Sequence, residues 1–99
     1  MEDIGRKDDK GKLDWTLLPI EKLEGTVRVL QFGANKYSRD NWKRVPDALN
    51  RYRAALMRHT VEYMKNPLAK DESGESHLSH IICNALFLLY LEDENENND

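Results

Sequence analysis

From Ile20 onward, apolar side chains recur at spacings of three and four: Leu23, Val27, Leu30 and Ala34. That period lays a stripe along one helix face and predicts helix one from about Pro19 to Lys36, with Pro19 suited to a first-turn position. Gly25 inside this run costs a helix about 1 kcal/mol relative to Ala, unless it lets a neighbour pack close. Gly33 and Asn35 mark the expected end, where left-handed caps are common. A second stripe, Leu49, Tyr52, Leu56, His59 and Tyr63, predicts helix two from Pro46-Asp47 to about Lys65, stopped by Asn66-Pro67. Arg51 and Arg58 fall on another of its faces, two turns apart. The third run, Leu78, Ile81, Ile82, Ala85, Leu86, Leu88 and Leu89, is apolar nearly all round. Helix three, from near Ser73–Ser76 to about Glu92, is therefore expected to be buried on more than one side.

No strand-period run is long enough to compete with these helices. The fold class expected is all-α: a three-helix unit of two longer amphipathic helices and an apolar C-terminal one, assembling as a helical oligomer. Residues 1–11 are charged, carry two glycines and are expected to be mobile; 12–92 form the single helical domain. The acidic, Asn-rich stretch 93–99 is expected to be disordered.

Composition narrows the picture further. Ninety-nine residues, 39% of them hydrophobic and 33% charged, suit one small globular domain. One core of that size stabilises by about 3–5 kcal/mol, so an apolar third helix points to self-association. The net charge of -3 and the lack of a long basic run exclude a broad nucleic-acid polymer surface, while leaving room for a small anionic ligand held by local arginines. The lone Cys83 lies in the apolar run and is expected to be a buried small hydrophobe, in keeping with a reducing cytoplasm. The charged N-terminus has no apolar signal segment, and Ile81 to Leu91 is too short to span a bilayer, so no membrane association is expected.

The candidate chemistry gathers where the acidic loop Asp71-Glu72-Ser73-Gly74-Glu75-Ser76 runs into helix three. His77, His80 and Asn84 share one helix face at i, i+3 and i+7. Asp71, Glu72 and Glu75 are hard oxygen ligands suited to Mg²⁺ or Mn²⁺; alternatively they sit there because a helix N-terminus favours acidic groups. His77 or His80 could ligate as well or act as a general base, with Glu75 as the third candidate catalytic group. Two histidines at this spacing, without a third ligand in motif spacing, do not make a zinc motif. Lys36, Arg39, Arg51 and Arg58 are candidates for phosphate, with Arg58 favoured because it adjoins His59 and the apolar stripe. Tyr37, Asn41 and Trp42 offer stacking surface and an amide suited to a nucleobase; the alternative is that Trp42 folds back as a lid on the core. There is no Walker-type glycine loop and no nucleophile elbow.

The ordered series Gly11-Lys12-Leu13, Gly33-Ala34-Asn35-Lys36-Tyr37, Asn41-Trp42, Ala55-Leu56-Met57-Arg58-His59 and Asp71-Glu72-Ser73-Gly74 with His77, His80 and Asn84 resembles the small phage dATP/dGTP diphosphohydrolase domain, a relative of the MazG-like all-α nucleotide pyrophosphohydrolases. The resemblance covers roughly Lys10 to Glu92. It implies a Mg²⁺- or Mn²⁺-dependent homo-oligomeric enzyme that splits a deoxynucleoside triphosphate into monophosphate and pyrophosphate. The candidate nucleotide contacts are then Lys36, Tyr37, Asn41, Trp42, Arg51, Arg58, His59 and Asn84. MazG-like enzymes carry a Glu-x-x-Glu pair on one helix and Glu-x-x-Asp on the next. Here Glu21 and Glu24 have that spacing at the start of helix one, and helix two has Glu62 alone. Two further readings stand beside hydrolysis. One is a non-catalytic binder that sequesters a nucleotide immune signal, cyclic or of ADP-ribose type, in an infected host; the other is an oligomeric interaction module.

Overall fold

The computed structural model describes residues 3–97, and the four terminal residues of the expected mobile segment and acidic tail lie outside it. Its helices are α1 (Glu24–Lys36), α2 (Ala48–Lys65) and α3 (His77–Asn97), with short 3-10 turns at Trp15–Leu17, Ile20–Leu23 and Asn41–Arg44. The described residues contain no strand; a single antiparallel bridge joins Lys70 to Ser76. The protein is all-α, as the apolar periodicities predict.

α2 and α3 form an antiparallel pair. Tyr52 stands against Phe87 with ring centroids 4.9 Å apart, His59 against His77 and His80, and Arg53 against Glu92 at 3.1 Å. The expected stripe of α2 is the face it uses: Leu49, Tyr52, Leu56, His59 and Tyr63 are all half-buried, while most of their neighbours are exposed. Asp47 starts α2 in a left-handed conformation (φ 56°) and receives the Asn50 side-chain amide at 3.0 Å.

α1 crosses α3 at Gly25 and Thr26, both buried. The Thr26 hydroxyl donates to the Ser79 carbonyl at 3.0 Å, and a Cβ added at Gly25 would overlap the Ser79 side chain. Gly25 is thus a close-approach glycine, which offsets its cost in helix propensity.

Three expectations are corrected. α1 ends without a left-handed cap: the Tyr37 N–H closes on the Gly33 carbonyl at 3.0 Å, and the positive-φ glycines are Gly11 and Gly74. α3 runs past Glu92 to Asn97, through part of the acidic stretch expected to be disordered. Extending an existing helix requires no new nucleus, and glutamate is a good helix former. Finally, α3 buries one side only. Cys83, Asn84 and Leu88 are buried, but Leu78, Leu86 and Leu89 are exposed, the last at 60%. With three helices in hand there is no fourth layer to cover them.

Replacing Gly25 by Ala should destabilise the fold by roughly 1 kcal/mol, because overpacking outweighs the gain in helix propensity. Adding Ser79→Ala should recover part of that loss. Chemical denaturation of the two single variants and the double variant checks it; an additive cycle would mean that α1 does not meet α3 here.

Candidate functional site: a histidine–carboxylate seam beside an aromatic groove

The loop between α2 and α3 is shaped by its own hydrogen bonds. The Asp71 N–H donates to the Glu75 carbonyl at 3.3 Å and the Gly74 N–H to the Asp71 carbonyl at 2.9 Å, with Gly74 at φ 82°. Only glycine adopts that conformation without strain. Ser76 caps the following helix, its hydroxyl accepting the Leu78 N–H at 3.1 Å. This tight return carries Asp71 back over the first turns of α3, where its Oδ2 lies 2.9 Å from His80 Nε2. Ser73 fixes the carboxylate by donating its N–H, at 3.0 Å, and its hydroxyl to Asp71 Oδ1; the same hydroxyl lies 2.9 Å from His80 Nε2.

α2 supplies the other wall. His59 stacks on His80 with centroids 4.4 Å apart and planes 4° from parallel, and its Nδ1 lies 2.9 Å from His77 Nδ1. His77 is only 7% exposed. His59, Asp71 and His80 each bring one ligand atom within 4.8 Å of the others. Burial holds His59 below the ordinary histidine value, and the neighbouring imidazoles of His80 and His77 lower it further. Burial raises the Asp71 carboxyl, but the Ser73 bonds and the His80 imidazole outweigh it and leave Asp71 below the usual carboxylate value. At neutral pH the seam therefore joins a neutral His59 to an ionised Asp71.

The expected carboxylate trio does not converge. Glu75 is taken by Arg28 of α1, whose guanidinium donates to both of its oxygens, the longer bond at 3.2 Å. That bond holds the Glu75 carboxyl below its usual value. Glu72 is exposed and Glu21 and Glu24 lie on the outside of the molecule. Only Asp71 of the three reaches the histidines, so the residues present do not fit a Mg²⁺ or Mn²⁺ ion held by acidic side chains. Nor is Glu75 placed as a catalytic group.

Next to the seam, an open groove of about 1000 Å³ runs between α1, the Asn41–Arg44 turn, α2 and α3. Tyr37, Arg39, Asn41, Trp42, Arg44 and Arg51 are among its lining residues. Trp42 folds back on the core, as one of the two sequence readings expects, and also lines the groove. Its ring stacks on Phe87 at 4.3 Å and meets the edge of Tyr90 at 5.1 Å, and its carbonyl accepts the Tyr52 hydroxyl at 2.9 Å. Three other expected contacts lie elsewhere. Lys36 is exposed, its ammonium 5.4 Å from the Tyr37 ring centre. Arg58 is exposed because consecutive helical residues point about 100° apart, so the inward turn of His59 sends its neighbour outward. Asn84 is buried and donates its amide back to the His80 carbonyl at 2.8 Å, a bond internal to α3.

Cys83 is buried, as expected, with its thiol pushed up to about 11 by burial. Sequence reasoning missed Ser73, although Asp-x-Ser is a spacing at which an aspartate accepts from the residue two ahead. It also missed Arg28 and Arg44, for which no local signal exists.

Groove and seam are consecutive stretches of one helix pair. His59 follows Tyr52 by two turns of α2, and His80 precedes Phe87 by two turns of α3, about 10 Å in each case. The chain belongs to the family described as dATP/dGTP diphosphohydrolase, N-terminal, whose sequence model matches residues 2–99. It is 32% identical over 95 residues to a dATP/dGTP diphosphohydrolase of Salmonella phage PMBT28, an alignment covering 96% of this chain and 32% of that protein. The chain thus spans about a third of that relative's length. No solved structure matches it. No helix among the described residues is long and apolar enough to cross a membrane.

The Arg28–Glu75 pair ties α1 to the loop that carries Asp71, and it gives the fold an acid-sensitive contact. Because the folded-state Glu75 value is depressed, its contribution is complete above the ordinary value of 4.5 and is lost as pH falls through the lower one. Thermal melts should show Glu75→Gln less stable than the parent at pH 7, with the gap closing towards pH 3 and shrinking in high salt. A gap that persists unchanged at low pH would count against this contact.

Proposed function

We propose that this chain acts on a nucleoside triphosphate, with deoxynucleotides the leading substrates, cleaving it to monophosphate and pyrophosphate. The observation that carries the proposal is the continuity of groove and seam along α2 and α3 in a member of this family. The base stacks against Tyr37 and the exposed part of Trp42, with the Asn41 amide at its edge. Arg39, Arg44 and Arg51 take the phosphates, whose oxygens match guanidinium forks. The phosphate chain then points towards His80, with Asp71 and Ser73 fixing the orientation of that imidazole. A positioned imidazole that accepts a proton from attacking water contributes about 10²–10⁴-fold.

A second reading is favoured by one specific observation: among the described residues a single carboxylate converges in the seam. On that reading the domain binds and sequesters a nucleotide without cleaving it. The outward-facing Leu78, Leu86 and Leu89 support a further proposal, that the chain forms a dimer or tetramer. Light scattering reads that directly, and a monomer at all concentrations removes it.

Incubation with a panel of dNTPs, NTPs and cyclic nucleotides, with and without divalent ions, followed by heat denaturation and chromatography, separates the two readings. Hydrolysis yields monophosphate and pyrophosphate; sequestration returns the ligand intact after heating. His80→Gln should lower turnover about 10²-fold or more while binding persists. Arg51→Ala should weaken binding about tenfold or more, the loss of one charge-assisted contact. An unchanged nucleotide pool, with no ligand retained, overturns both readings.

A further inference from the structure

The seam has a donor set of its own, different from the carboxylate trio that the family resemblance suggests. Its ligand atoms come from three separate stretches of chain: His59 on α2, Asp71 in the loop, and His80 on α3. All three residues are half-buried. We propose that His59, Asp71 and His80 form a binding site for a divalent transition ion of the Zn²⁺, Co²⁺ or Ni²⁺ kind, selected over Mg²⁺.

Chemistry sets the preference. Two imidazole nitrogens and one carboxylate oxygen make a borderline set, which binds later first-row ions strongly, whereas Mg²⁺ favours oxygen and sheds its water reluctantly. Ligand bonds of about 2.1 Å at tetrahedral angles place ligand atoms about 3.4 Å apart. The atoms here lie within 4.8 Å of one another, so closure on an ion draws the farthest pair together by at most about 1.4 Å, within reach of side-chain rotation.

The surroundings have the form of a supporting shell. His59 engages His77 through Nδ1, which leaves Nε2 as its ligating nitrogen. Metal-bound histidines commonly use the second ring nitrogen in this way, to fix tautomer and orientation. Asp71 Oδ1 is held by Ser73, leaving Oδ2, the oxygen nearest His80, for the ion. Three protein ligands leave at least one position for water or for an oxygen of a bound anion. The site lies two helical turns along α2 and α3 from Tyr52 and Phe87, which line the groove, so that anion is a phosphate if the nucleotide reading above holds. The ion site itself rests on the seam alone, and an ion bound there takes up the His80 ring nitrogen, so His80 is then a ligand and not the proton acceptor.

The test needs no nucleotide. The purified full chain is stripped with chelator, dialysed and titrated with Co²⁺, then with Zn²⁺, and the bound metal is counted by elemental analysis. About one ion per chain is expected, with visible d–d absorption of the Co²⁺ form, loss of that absorption on adding Zn²⁺, and no displacement by a large excess of Mg²⁺. Asp71→Asn and His80→Gln should each abolish stoichiometric binding. His77→Gln should retain one site but weaken it about 10–100-fold, as loss of an orienting partner does. Circular dichroism verifies that each variant is folded, and Ser73→Ala, which removes the hydroxyl that anchors Asp71 and meets His80 while leaving every ligand side chain in place, is expected to weaken binding in the same way should a ligand variant fail to fold. Absence of binding, equal competition by Mg²⁺, or binding undiminished in the folded ligand variants overturns the site. A nucleotide assay that fails while Co²⁺ still binds overturns the functional reading and leaves the site intact.

Discussion

The contact on which the rest of this structure depends is the burial of polar side chains between α2 and α3. An imidazole taken out of water without a partner costs about 1–3 kcal/mol. Here His59 meets His77, His80 meets Asp71 and Ser73, and Asn84 is satisfied by the helix it belongs to. Among the described residues, no buried side-chain polar atom lacks a partner. These pairings make the helix pair directional in a way that leucines alone would not. A slip of one turn would still bury apolar surface, but it would strand three imidazoles and a carboxylate. The seam therefore sets the register of α2 against α3, and with it the meeting of Tyr52 with Phe87 and the seat of Trp42.

The same seam explains how α1 is attached. α1 touches α3 through a small patch, Gly25 and Thr26 against Ser79, and an ion pair to Glu75. Ser79 lies next to His80, so the α1 contact and the seam occupy adjoining faces of one turn of α3, about 100° apart. A rigid seam holds that turn in place, and a glycine at the crossing lets α1 approach it. The apolar interior is correspondingly thin: Cys83 and Leu88 are its buried hydrophobic members. Specificity in this fold comes from polar pairing to an unusual degree.

Much of the architecture was legible because it rests on local rules. Repeats at three and four gave the helices, Pro46 and Asn66-Pro67 bracketed α2, and the half-buried stripe from Leu49 to Tyr63 is the one the spacing defines. The seam was half legible. The face shared by His77, His80 and Asn84 is a property of one helix, whereas the arrival of His59 depends on how two helices register. The carboxylates were misassigned for the same reason. Asp71, Glu72 and Glu75 are neighbours in sequence, but the turn at Gly74 sends them in three directions, and Arg28, 47 residues from Glu75, captures one of them. Arg58 is exposed and outside the groove's lining, because residues adjacent in a helical sequence point about 100° apart.

Electrostatics constrains how the groove and the seam can cooperate. Arg39, Arg44 and Arg51 attract an anion into the groove, but a phosphate chain extended along α2 and α3 ends at the ionised Asp71. Two like unit charges about 4 Å apart near a protein surface repel by about 4 kcal/mol, enough to cancel a good phosphate contact. The neutral His59 cannot offset that repulsion, and Glu75 and Glu72 add nothing positive. The seam accepts a phosphate only if positive charge lies between it and Asp71, either as a proton on His80 or as a bound cation. A protonated imidazole would donate to the phosphate but could no longer take a proton from water. A cation would neutralise the carboxylate and leave the arginines free to hold the rest of the chain. On the proposed reading, the charge state of the His59–Asp71–His80 cluster is the quantity that would decide whether a nucleotide is held in the groove alone or extended into the seam.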